Sequence, residues 1–230
     1  MDIGKAFTFM FEDEQWVSKL LVASVLALFG FFLLIPLLPL IGYMVEVQQN
    51  VARGEARPLP DWNNIGVKTL KGLNVVVILF IYSLPVIVLT CCLLLLVAVT
   101  PSSKDANPIG LLLGLYTLCY ICVVSLYSFA LAVFTPAAVT LYAATDRVSD
   151  AFRVMQVMGF IRRNAGNYAA AVIFGLVASF IAQFGILICG VGLAATYAWW
   201  LLVHGYLFGQ VYRAAQAPPP APPMPAAPAM

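Results

Sequence analysis

The sequence predicts an all-α fold: a polytopic membrane bundle of about six transmembrane segments, arranged as three hairpins. Two observations carry this. Only 10% of the 230 residues are charged and 63% are hydrophobic, with a mean hydropathy of +0.96, whereas a soluble domain carries roughly a quarter charged residues. Apolar runs such as Leu73–Val99 also exceed the roughly 18–20 residues that cross a bilayer as helix. An unpaired amide in hydrocarbon costs several kcal/mol, so a spanning backbone must be helical or form a closed barrel. These unbroken runs lack the alternation of barrel strands.

The segments follow in order. The first is about Val17–Ile35, and the prolines of "PLLP" (Pro36–Pro39) interrupt the helical ladder and turn the chain. The second, about Leu40–Ala52, is short for a full span. The third is Leu73–Val99, with a kink expected at Pro85, and "TPSSKDANP" (Thr100–Pro108) forms the loop to the fourth, Ile109–Phe134. The fifth is Tyr168–Ile188, "CGVG" (Cys189–Gly192) turns it, and the sixth is Leu193–Tyr212. Together these make one membrane domain over residues 1–214. Residues 215–230 form a tail with seven prolines between Ala217 and Met230, a composition that favours polyproline II and disorder. An inert tail is preferred there to a docking tether.

Each hairpin is expected to follow a short amphipathic helix lying in the headgroup plane. In the first, Ile3, Ala6, Phe7, Met10 and Phe11 share a helical face. In the second, Asp61 caps a helix with Trp62, Ile65 and Leu73 on one side and Asn64, Lys68 and Lys71 on the other. In the third, Val148, Ala151, Phe152, Met155 and Met158 form the stripe while Arg153 and Gln156 face away. Lys68, Lys71, Arg153, Arg162 and Arg163 are thereby assigned to an interfacial basic face.

Charge orients the bundle. With six segments, eleven lysines and arginines fall on the side of both termini and Lys104 alone on the other, so both termini are expected in the cytoplasm. The acidic start of the chain, "MDIGKAFTFMFEDEQW", does not resemble a cleavable signal peptide.

The strings "GYMVEVQQNVARGEARPLPDW", "IRRNAGNY", "GILICGVG" and "GYLFGQVYR" stand together in this chain. With the "MDIGKAFTFMFEDEQW" opening they resemble an uncharacterised prokaryotic membrane family, domain of unknown function 4013, over about residues 1–214. The resemblance implies an integral membrane protein in a prokaryotic cell membrane. It implies no activity and no site residues.

Chemistry-bearing residues are few. Glu46 lies about 10 Å inside Arg53, and His204, the single histidine, about 13 Å inside Arg213, at about 1.5 Å per residue. Intramembrane ionisable groups cost roughly 2.5–3.5 kcal/mol at a helix centre, so they seek partners. Glu46, Gln183 and His204 could line a polar path; the preferred reading is that each makes one interhelical hydrogen bond and fixes packing. Gly110 and Gly114 form a GxxxG, and Gly185, Cys189 and Gly192 a small face, both suited to close helix packing. Cys119 and Cys122 lack a second ligand pair, so no metal site is expected. No HExxH, G-x-S-x-G or phosphate-cradling loop occurs, and no cofactor or enzymatic activity is expected. A net charge of +2 argues against nucleic acid. The expected partners are the bilayer and other membrane subunits or further copies of the chain. The function expected is a scaffold, assembly factor or accessory subunit, with a small transporter or channel as the alternative. Transporters gather polar groups and broken helices at mid-membrane; here the polar residues collect near the helix exits.

Overall fold

The computed structural model describes residues 1–99, 108–188 and 191–216. All regular structure among them is helical: α1 (Ile3–Thr8), α2 (Trp16–Leu33), α3 (Leu37–Arg53), α4 (Ile65–Val99), α5 (Pro108–Thr145), α6 (Val148–Ala151), α7 (Val154–Arg163), α8 (Ala165–Gln183) and α9 (Val191–Gln216). Among the described residues, five helices are long and apolar enough to cross a membrane: α2, α4, α5, α8 with the 3-10 turn after it, and α9. The 17-residue α3 is not one of them. The expected Thr100–Pro108 loop lies outside the described residues up to 107, as do Cys189, Gly190 and the proline-rich tail.

The break between α2 and α3 falls slightly earlier than "PLLP" suggests. Leu34 adopts a left-handed φ of 57°, Pro36 precedes α3, and Pro39 sits in its first turn, where a missing N–H disturbs no ladder bond. Pro85 and Pro136 lie inside α4 and α5 without ending them. These helices of 35 and 38 residues would measure about 52 and 57 Å, against a hydrocarbon core of about 30 Å, so each tilts or extends beyond it.

The three expected prefaces fare differently. The first is α1 with a 3-10 turn over Phe9–Glu12, and the change of pitch re-phases its stripe: Ala6, Phe9 and Met10 are buried while Phe11 is half exposed. It docks on α9, where Phe9 stacks on Tyr206 at 4.4 Å and the Asp2 N–H donates to Gln210 Oε1 at 2.7 Å. The second is corrected. Glu55–Asn64 is irregular, held so by Pro58, Pro60 and the left-handed Asn64 (φ 54°), and α4 runs from Ile65 without a separate preface. Asp61 caps nothing there; it pairs with Lys19 at 2.9 Å, and Trp62 stacks on Tyr43 at 4.2 Å. The third breaks at Phe152–Arg153 into α6 and α7.

α3 is the centre of the molecule, in contact with α2, α4, α5 and α9. Glycines set these contacts. A Cβ on Gly42 would lie 1.8 Å from the Lys68 carbonyl oxygen, and one on Gly72 would lie 1.8 Å from that of Leu38. The pairs run in opposite order, so α3 and α4 are antiparallel with backbones touching. On the other flank, Gly205 approaches the Met44 carbonyl and Gly209 that of Gln48, each within 3 Å of a hypothetical Cβ. Both numbers advance by four, so α3 and α9 run parallel. This Gly205–Gly209 pair is a GxxxG that packs; of the expected Gly110–Gly114 pair, Gly114 has no atom within 4 Å of its Cβ position. Gly185 and Gly192 do pack closely, as expected, with the Gly192 carbonyl 2.6 Å from a Cβ on Gly185.

Candidate functional site

The polar residues of α3 collect in one buried layer. Met44, Gln48 and Val51, spaced i, i+4, i+7, meet α9, so Leu38, Gly42, Glu46 and Gln49 on the opposite side meet α4. There Lys68 Nζ donates to Glu46 Oε2 at 2.5 Å and to the Asn63 carbonyl at 3.1 Å. Lys71 Nζ reaches Glu46 Oε1 at 3.5 Å and donates to Gln49 Oε1 at 2.8 Å. Gln49 Nε2 passes the chain on to the Ala143 carbonyl (2.8 Å) and Asp146 Oδ1 (2.9 Å), and Gln48 Nε2 donates to Thr140 Oγ1 at 2.7 Å. Helices α3, α4 and α5 are thus tied by a chain of contacts through Glu46 and Gln49 and by the separate Gln48–Thr140 bond.

Lys68 and Lys71 therefore do not form the expected headgroup-facing surface. The close backbone approach at Gly42 draws α4 in, leaving the Lys68 side chain 4% exposed and aimed at Glu46, which is 17% exposed. Arg153, Arg162 and Arg163 do lie at the surface, Arg153 beside Asp150 at 3.4 Å. The Glu46–Gln183–His204 cluster does not assemble. His204 packs its ring between Trp200 and Phe208 and against the Gly175 face of α8. Gln183 is the exposed last residue of α8, level with Thr196, whose hydroxyl donates to the Ala182 carbonyl. That is about 12 Å from His204 along α9. Glu46 faces α4, away from α9.

A second ion cluster, with Lys19 and Asp13 buried and Asp61 exposed, joins α2 to the Glu55–Asn64 segment. Lys19 donates to Asp13 Oδ2 at 2.9 Å and to the Leu59 carbonyl at 3.3 Å, and it pairs with Asp61. Trp62 Nε1 donates to the Lys19 carbonyl, and the Tyr43 hydroxyl to that of Pro60. Burial pushes the Asp13 carboxyl upward, but hydrogen bonds from Lys19 and the Gln15 amide, with the charges of Lys19 and Arg57, hold it below its ordinary value. A depressed carboxyl stabilises the fold above its unfolded pKa, and this contribution is lost as pH falls through the folded one. Asp13→Asn should therefore lower the melting temperature by a few degrees at pH 7. The gap to wild type should close below about pH 4; a gap constant from pH 7 to pH 3 would refute the assignment.

Reasoning from sequence missed Gln48, Gln49, Thr140, Lys19 and Asp61 as network members. The signal was the polar run Glu46–Asn50 inside an apolar helix, a pattern costly unless several helices answer it. Chemically the layer is largely paired within itself: Glu46 faces two ammonium groups, Gln49 uses both ends of its amide, and Gln48 donates to Thr140. Among the described residues no three His, Cys, Asp or Glu side chains are grouped to hold a metal.

The open space lies around this layer, at the end where α3, α5 and α9 finish. A cleft of about 490 Å³ is lined by Asp2, Lys5, Gly54, Glu55 and Arg213, and one of about 600 Å³ by Leu141, Gln156, Phe160, Arg163 and Tyr212. A family model described as "Protein of unknown function (DUF4013)" matches residues 25–191. No curated protein and no solved structure matches the chain.

Proposed function

We propose, from the premise that the chain belongs to the DUF4013 family of proteins of unknown function, that it is a non-enzymatic scaffold, assembly factor or accessory subunit of a membrane complex. It sits in a prokaryotic cell membrane with both termini cytoplasmic. In this reading α3 is the sixth crossing: it runs parallel to α9, in step with it from Met44/Gly205 to Gln48/Gly209. The helices then return the chain to one side at Arg53 and Arg213, which preserves the eleven-to-one charge bias.

The observation that carries the reading is the contrast between interior and flank. The polar groups inside are paired with one another, while the outer parts of α4 and α5 carry many exposed apolar side chains. Leu111, Leu118, Leu126 and Phe129 are 59–79% exposed, and no residue of α5 from 111 to 136 is buried. This hairpin is the surface offered to other membrane subunits or to further copies. Photo-crosslinkers at Leu118 and Leu126 in native membranes, compared with Val25 and Phe29 on α2, are the test. Adducts to a defined membrane protein from α5 alone support the proposal. A chain that crosslinks to lipid only, and moves a solute when reconstituted by itself, would overturn it in favour of a transporter.

A further inference from the structure

The basic side chains divide into two groups. Lys5, Lys19, Arg53, Arg57, Lys68, Lys71 and Arg153 each have a carboxylate within 4 Å. Among the described residues, Arg147, Arg162, Arg163 and Arg213 have none. These four stand at one end of the molecule: Arg147 just after α5, Arg162 and Arg163 in the last turn of α7, Arg213 in that of α9.

α7 presents two different faces there. Met155, Met158 and Arg162, at i, i+3 and i+7, point outward, with Met155 85% exposed. This is the composition of a helix lying in a membrane interface, apolar side chains among the acyl chains and a long cation reaching back to the headgroups. Gln156, Phe160 and Arg163, at i, i+4 and i+7, instead wall the cleft of about 600 Å³ against Leu141 of α5 and Tyr212 of α9. The cleft floor is aromatic, with Phe160 and Tyr212 rings 6.2 Å apart. Its rim carries the Arg163 guanidinium and the Gln156 and Gln216 amides. The large exposed apolar residues of α8 begin at Ile173, about two and a half turns beyond Asn164, so the cleft lies at headgroup depth.

We propose that this cleft binds the headgroup of an anionic glycerophospholipid, with Arg163 as the phosphate ligand. A planar guanidinium with no competing carboxylate matches two phosphate oxygens at once. The amides can meet headgroup hydroxyls, and the Leu141–Phe160–Tyr212 floor covers the glycerol and upper acyl carbons. A soluble anion would leave that floor wetted, whereas a lipid whose chains continue over Met155 and Met158 would not.

The test is native mass spectrometry of the full chain, titrated in detergent with phosphatidylglycerol, phosphatidylcholine or glycerol phosphate. Wild type should retain phosphatidylglycerol about tenfold better than phosphatidylcholine, whose choline ammonium offsets its own phosphate charge and would meet Arg163 with like charge, a difference on the scale of one charge-assisted contact. Arg163→Gln should abolish the preference, and Arg147→Gln, outside the cleft, should keep it. Gln156→Leu, which leaves every charge in place, should reduce it by several-fold and serves as the probe if Arg163→Gln does not fold. Several outcomes overturn the proposal: no preference in wild type, equal losses in the two arginine variants, or full competition by glycerol phosphate, which would mark a soluble-phosphate site. Stable capture of an acidic protein through Arg163 in place of lipid would do the same.

Discussion

Gly42→Leu and Gly72→Leu will each prevent the native helix packing, the largest effect expected from any single substitution here. At both positions the added Cβ alone meets a backbone carbonyl at 1.8 Å, and the obstructing atom belongs to a helix that moves only as a whole. Overpacking in a tolerant core costs about 1–3 kcal/mol because side chains yield. Here nothing flexible stands in the way, so the loss should exceed about 3 kcal/mol. Thermal melting in detergent, followed by size-exclusion fluorescence, reads this directly. Gly66→Ala and Gly114→Ala are the controls. Neither position has an atom within 4 Å, and alanine favours helix over glycine by up to about 1 kcal/mol, so both should be neutral or stabilising. If Gly42→Leu melted with these controls, the touching α3–α4 crossing would be wrong.

Glu46→Ala is the second. It leaves the Lys68 ammonium, 4% exposed, with the Asn63 carbonyl as its hydrogen-bond acceptor and the Tyr43 ring 5.8 Å away, and removes one of the two acceptors of Lys71. Stranding one member of a buried pair costs about 3–5 kcal/mol, although the intact pair contributes little beyond an apolar replacement. The melting temperature should fall by on the order of 10 °C. The double variant Glu46→Leu with Lys68→Met should recover most of this, because the buried Lys68 charge goes with its partner and the more exposed Lys71 keeps Gln49. A double-mutant cycle therefore decides between coupling and simple loss of volume. Additive effects would mean that Glu46 and Lys68 do not act on each other. The wider consequence concerns function: an acid neutralised by two lysines is a fastener between α3 and α4, and a solute path through it would have to break the fastener.

Much of this fold was legible in the sequence because lipid leaves a helix few alternatives. The spans α2, α4, α5, α8 and α9 were read within a few residues from apolar length alone, except that α4 and α5 extend further. The turn between α2 and α3 followed from prolines, and the aromatic-rich N-terminus read as a separate short helix. The candidate site was less legible. Glu46 stood out as an ionisable group in an apolar run, but its partners come from residues 22 and 25 positions later, and nothing local indicates that Lys68 points inward. His204 and Gln183 were grouped with it by depth along their helices, which carries no information about which side of the helix each presents.

Hydropathy, proline positions and the distribution of lysine and arginine, by themselves, determined a helical membrane protein with most of its segments in place, since each depends on how a residue partitions between water and hydrocarbon. Only the tertiary structure decided which helices touch and which polar groups meet. α3, the least apolar and shortest of the long helices, becomes the centre because Gly42, Gly72, Gly205 and Gly209 let two neighbours approach its backbone. Once they do, Gln48 and Gln49 are buried and Glu46 is mostly so, and their hydrogen bonds come from α4 and α5. That is a condition on pairs of distant residues, set by close packing, and no reading of one segment at a time contains it.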